Sequence, residues 1–204
     1  VSALDTLLPA SYTRQPHLMG LWTQRIGLMV LAVLPLIFVL WLNAERGLIL
    51  LGQDPDIAYN ARQFLMVLSF GLPGVAIFEL CRRFLQAQGM MHAPTIVSPL
   101  NAIANFFLVW GPERYRIGFL GAPMASALSM WLMAALCAVQ CAVACRDTWG
   151  GFSRDVWDPA ALRTCVSLGF AGLISLASEW WAWEIVGLVT AALGTRALAS
   201  QSVL

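Results

Sequence analysis

The chain is short of charge. Only 11% of its 204 residues are Asp, Glu, Lys or Arg, whereas 59% are hydrophobic. A soluble domain carries roughly 25% charged residues, so this set cannot coat a water-exposed surface. Lysine is absent: all twelve basic residues are Arg, which we read as coding bias without a function. A net charge of +1 excludes the dense positive field that holds nucleic acid. No G-x-x-x-x-G-K-[ST] loop is present to cradle nucleotide phosphates, which argues against direct ATP coupling within these residues. A G-x-S-x-G elbow and an H-E-x-x-H pair are missing too. The only two histidines, His17 and His92, fall in connectors and are expected to be solvated. An intramembrane lipid-modifying enzyme, such as an acyltransferase or lipid hydrolase, would need a polar catalytic set at one depth, so the chain is read as a non-enzyme. No cofactor is expected. There is no initiator Met and no signal-peptide pattern, and the chain is expected to be a fragment with both ends cut.

What the chain does have is apolar length. A membrane-spanning helix needs about 20 mostly apolar residues, within roughly 17–25. Five segments qualify: Ile26–Leu42, Phe64–Leu80, Thr95–Gly111, Ala122–Cys145 and Leu168–Gly194. They predict an all-α, polytopic transmembrane bundle in contact with the lipid bilayer, with consecutive helices as antiparallel neighbours. Pro35, Pro73 and Pro99 fall inside spans, where neighbouring helices can re-satisfy the freed backbone groups. The sharpest bend is expected at Gly71-Leu72-Pro73-Gly74.

The connectors hold nearly all the charge. Arg14, Arg25, Arg82, Arg83, Arg146, Arg154 and Arg163 fall on one side of the membrane, and Arg46, Arg62, Arg114, Arg116 and Arg196 on the other. The excess of Arg makes the first side cytosolic. The stretch from Arg146 to Arg163 also contains Asp147, Asp155, Asp158, Gly150-Gly151 and Pro159, and reads as a water-exposed linker between two helical bundles.

An ionisable residue inside a span is expensive to keep and is by default a functional candidate. Glu179 lies midway between Arg163 and Arg196, near the expected bilayer midplane, with Glu184 beyond it. A carboxyl at that depth is neutral part of the time, because desolvation disfavours its charged form; a proton carrier needs that property. Five residues at about 100° each put the two acids about 140° apart around a regular helix, so they do not both face one cavity squarely. Glu179 shares a face with Trp183, and Trp180 with Glu184. A carboxylate beside an indole suits a lipophilic organic cation, through charge pairing and cation–π attraction. Alternatively, both acids hydrogen-bond neighbouring helices, and Trp180, Trp181 and Trp183 form an interfacial belt.

Other candidates are weaker. Glu79 precedes Arg82 and Arg83 by three and four residues, which predicts a local ion pair. Asn101 and Asn105, one turn apart, either bond across helices or line a substrate cavity. Asp5 and Tyr12 lie near the N-terminal end. Of the five cysteines, Cys137, Cys141 and Cys145 fall on one helical face. They fit packing against a neighbouring helix better than a metal site, since no His or carboxylate ligand lies nearby. Cys81 and Cys165 flank apolar runs on the cytosolic side, so disulfides are not expected. Energy for any active transport would have to come from an ion gradient.

Several strings, in order, resemble the eukaryotic multidrug and toxic compound extrusion (MATE) family. Ala3-Leu4-Asp5-Thr6-Leu7 is similar to the end of its second helix. Arg82-Arg83-Phe84-Leu85-Gln86-Ala87-Gln88-Gly89 is similar to the motif after its fourth. Pro99-Leu100-Asn101-Ala102 and Gly118-Phe119-Leu120-Gly121-Ala122-Pro123 resemble the fifth helix and the start of the sixth. Glu179-Trp180-Trp181-Ala182-Trp183-Glu184, followed by Leu198-Ala199-Ser200-Gln201-Ser202-Val203-Leu204, resembles the seventh helix and the start of the eighth. Trp149-Gly150-Gly151-Phe152 leans toward fungal members. The chain departs from the family after Leu7, where Leu8-Pro9-Ala10-Ser11-Tyr12-Thr13 replaces the usual Cys-Gly-Gln-Ala-Tyr-Gly.

The resemblance implies part of a twelve-helix exporter with two six-helix lobes. Residues 1–145 would be part of the N-terminal lobe, from the end of helix two to helix six. Residues 146–163 would be the cytosolic linker, and 164–204 the start of the C-terminal lobe. It further implies export of organic cations and other xenobiotics in exchange for protons, less readily sodium, by alternating access, in a monomeric multi-pass protein of the plasma or vacuolar membrane. Glu179 matches the family's coupling glutamate and Glu184 a second acid. A lipid-linked sugar flippase of the same superfamily is the alternative; its cavity should be richly basic, and no Arg is expected inside a span.

Overall fold

A computed structural model describes residues 2–90, 103, 106 and 118–192. Every regular element among the described residues is helical: α1 (Ala3–Arg14), α2 (Leu18–Leu42), α3 (Ala44–Leu50), α4 (Pro55–Ser69), α5 (Leu72–Gln86), α6 (Gly121–Ala144), α7 (Arg146–Trp149) and α8 (Pro159–Ala192), with 3₁₀ turns at Gly118–Leu120 and Arg154–Trp157. Residues 3–158 form one compact unit and those from Pro159 onward a second. Three helices, α2, α6 and α8, are long and apolar enough to cross a membrane, and the bent pair α4–α5 makes a fourth candidate. The expected span Thr95–Gly111 lies outside the described residues apart from Ile103 and Phe106, which are helical and exposed.

The expected bend is present. Residues 55–86 form two helices meeting at 50° around Phe70-Gly71. Pro73 sits in the first turn of α5, where its missing N–H is not needed. The helical segment is longer than the predicted Phe64–Leu80, because Asp54 caps α4 by accepting a hydrogen bond from the Asp56 N–H at 2.8 Å, with Pro55 as the first helical residue. The predicted first span is also extended: α2 begins at Leu18, so Arg25 is inside a helix and buried. This corrects the expectation that no Arg falls within a span. The helices α1 and α2 run through Pro9 and Pro35 without a break, and the short α3 follows α2 directly after Asn43.

The first unit is held by its most extensive helix pair, α5 against α6. Small residues let the backbones approach. A Cβ on Gly74 would lie 3.1 Å from the Met130 carbonyl carbon and from the Trp131 nitrogen. On α6, Gly121, Pro123, Ala125, Ala127 and Ser129 are buried in alternation with more exposed neighbours. Ser129 is satisfied by its own helix, its Oγ donating to the Ala125 carbonyl at 2.7 Å. At one end of the unit Glu79 accepts from Arg82 at 2.7 Å and lies 3.7 Å from Arg83, as the local spacing predicted. Arg83 also pairs with Asp5, which ties α5 to α1. Arg62 and Glu45, 3.0 Å apart, join α4 to α3.

The segment between α6 and α8 is docked on the N-terminal part of α2. Arg25 donates from Nη2 to the Asp155 carbonyl at 2.8 Å and lies 4.6 Å over the Trp22 ring. Gln24 donates to the Gly151 carbonyl at 2.8 Å. Gly20 packs directly beneath the Trp149 carbonyl, where no Cβ fits. Gly150, at φ +65°, closes on the His17 carbonyl, and its conformation favours glycine. Thr148 bonds Gln88 at 3.2 Å, and Trp149 stands edge-on to Phe84.

Candidate functional site

The helix that bears Glu179 and Glu184 is α8, continuous from Pro159 to Ala192. Its 34 residues extend about 50 Å at 1.5 Å per residue, more than the ~30 Å hydrocarbon layer. Pro159 opens it at the first helical position, and no later proline interrupts it. The helix begins before the predicted Leu168, so Arg163 belongs to α8 and not to a loop.

Glu179 and Glu184 both lie in this unbroken helix, so the angular separation of a regular helix applies to them. Each carboxylate has an indole one turn away, Trp183 for Glu179 and Trp180 for Glu184. All four side chains are exposed, as are Leu173, Ile174 and Leu176 in the preceding turns. Neither acid forms an ion pair among the described residues. Ser178, beside Glu179, returns its hydroxyl to the Ile174 carbonyl at 2.7 Å and is not offered to it. The arrangement is a carboxylate embedded in an apolar, aromatic helix surface. It can carry a proton or pair with a cation. Asn101 and Asn105 lie outside the described residues.

Of the remaining candidates, Tyr12 and His17 are exposed in the first unit, and Asp5 is engaged by Arg83. His92 is outside the described residues. Among the described residues no group of three or more His, Cys, Asp or Glu is placed to hold a metal ion. Sequence reasoning missed the Arg25–Asp155 clasp. The available signal was an Arg abutting an apolar run together with a Gly-Gly linker, but their meeting depends on tertiary contact.

A stack of apolar helices with exposed hydrophobic flanks defines an integral, multi-pass membrane protein. Comparison with known proteins points to one family. The MatE family model matches residues 13–110. An uncharacterized transporter of Schizosaccharomyces pombe is 39% identical over all of this chain and 38% of its own length. Multidrug and toxin extrusion protein 2 of Mus musculus is 30% identical over all of this chain and 36% of its own. The crystal structure of the eukaryotic MATE transporter AtDTX14 superposes with a TM-score of 0.77 at 25% identity, covering 93% of this chain and 43% of that one. The chain is similar to MATE transporters along its whole length. It spans well under half the length of the curated relatives it matches.

Proposed function

We propose that the protein containing this chain is a secondary active antiporter that exports organic cations and xenobiotics in exchange for protons by alternating access. The observation that carries this reading is Glu179, an acid well inside a continuous helix long and apolar enough to cross a membrane. Carboxylates are retained at such depth where they relay protons or bind cargo. Glu179 takes up a proton from one side and releases it when the cavity reopens to the other. The Trp183 indole one turn away offers a π-face to the cation, and Trp180 does so beside Glu184.

In the full protein residues 1–145 supply part of the first lobe, 146–163 the cytosolic linker, its last five residues already in the start of α8, and 164–204 the start of the second lobe, in a monomer of the plasma or vacuolar membrane. The division of the chain at Asp158 supports a boundary in that linker. The flippase alternative gains nothing from Arg25: the residue is buried, donating to the Asp155 carbonyl and lying over the Trp22 ring, and so does not line an open cavity. The test is efflux of a cationic dye from proteoliposomes of the full-length protein under imposed pH or sodium gradients. Glu179→Gln should abolish pH-driven efflux while leaving membrane insertion intact. Unchanged efflux would remove Glu179 from the coupling role, and efflux driven by sodium alone would replace the proton.

A further inference from the structure

The stripe Cys137-Cys141-Cys145 on α6 meets a fourth thiol that the transport reading does not use. Cys81, on α5, faces Cys141. The Cys141 thiol donates to the Cys81 carbonyl with sulfur and oxygen 3.7 Å apart, which brings the two residues together across the α5–α6 contact. Both line a cleft of about 390 Å³ together with Cys145, Ala138, Ala142 and Trp149. All of these cysteines are free, and the flanking Arg82, Arg83 and Arg146 mark the side of the membrane assigned to the reducing cytosol.

We propose that this cleft binds one soft, monovalent d¹⁰ cation, of the Cu(I) class, between the sulfurs of Cys81 and Cys141. Ligand chemistry selects the ion. The cleft wall is apolar apart from sulfur, with no His or carboxylate in it. Glu79, two residues before Cys81 on α5, is held by Arg82 and Arg83. Hard ions therefore find no oxygen ligands, whereas thiolates select Cu(I). Coordination number is set by the same geometry. Among the described residues no three His, Cys, Asp or Glu are placed to hold one ion, so the pair of sulfurs offers a two-coordinate site, short of the four ligands of structural zinc. Binding displaces both thiol protons to water: two R–SH and one Cu⁺ give [R–S–Cu–S–R]⁻ and two H⁺. The product carries one negative charge.

The site does not depend on transport activity and is tested by metal binding alone. The full-length protein in detergent, reduced and anaerobic, is titrated against Cu(I) buffered by a chromogenic chelator. Wild type should withdraw one Cu(I) per chain, and X-ray absorption should show two sulfur neighbours in linear geometry. Cys81→Ser and Cys141→Ser should each lose retention, while Cys165→Ser, outside the cleft, should keep it. Since serine in an apolar interface can loosen α5 against α6, Cys81→Ala and Cys141→Ala are run in parallel with melting curves. Retention by a folded Cys81/Cys141 double variant, failure of wild type to withdraw Cu(I), or a nitrogen or oxygen coordination shell would overturn the proposal.

Discussion

Trp131 reaches from α6 to the break between α4 and α5, its indole N–H donating to the Phe70 carbonyl at 2.8 Å. The 50° bend there interrupts the helical ladder, and a carbonyl left open in hydrocarbon is costly. The indole thus binds the neighbouring helix at the point where the span is broken. Trp131→Phe keeps an aromatic ring but removes the donor. We expect it to lower stability by about 1 kcal/mol, read as a fall in melting temperature of the purified protein. An unchanged melting curve would show that the bend does not need this bond.

Glycine positions should divide by what a Cβ meets. Gly74→Ala would press the new methyl group against the Met130–Trp131 backbone, which cannot yield as a flexible side chain does, and should cost about 1–3 kcal/mol. Gly47, in α3, has nothing within 4 Å of its would-be Cβ, so Gly47→Ala should stabilise by about 0.4–1 kcal/mol. Thermal melts of the two variants should move in opposite directions.

The clasp on α2 predicts a change in protease access. Arg154 is exposed in the docked segment, one residue before the Asp155 carbonyl that Arg25 holds. Arg25→Ala should release the segment and raise the rate of tryptic cleavage after Arg154 several-fold, without changing helix content by circular dichroism. An unchanged rate would mean that Gln24, Gly20 and Gly150 hold the segment by themselves.

The two acids of α8 should behave differently. Because they sit about 140° apart around a regular helix, they do not form one site. Glu184→Gln should therefore retain pH-driven efflux and alter the KM for a cationic dye, whereas Glu179→Gln removes efflux. Equal loss in both variants would require α8 to be distorted in the transporting protein.

Much of the architecture was legible because its causes are local. Apolar runs of spanning length marked α2, α6 and α8, and Gly71-Leu72-Pro73-Gly74 marked the bend, since glycine and proline act on their own backbone. The pairing of Glu79 with Arg82 and Arg83 followed from helical spacing alone. Element starts were less legible. The early part of α2 and of α8 carries Arg25 and Arg163, and a hydropathy reading stops at charge even where the backbone stays helical. Arg25 is kept inside the helix by a carbonyl contributed from a distant segment.

Composition and periodicity by themselves determined that this chain is a set of membrane-spanning helices with two acids in the last of them, because burial in lipid is a property of each segment's own residues. Only the tertiary structure decided which segments meet: Asp5 with Arg83, Arg25 with Asp155, Trp131 with Phe70, Cys81 with Cys141. Each of these contacts joins residues far apart in the chain. Their geometry depends on helix rotation and close backbone approach, which the order of residues along one helix does not specify.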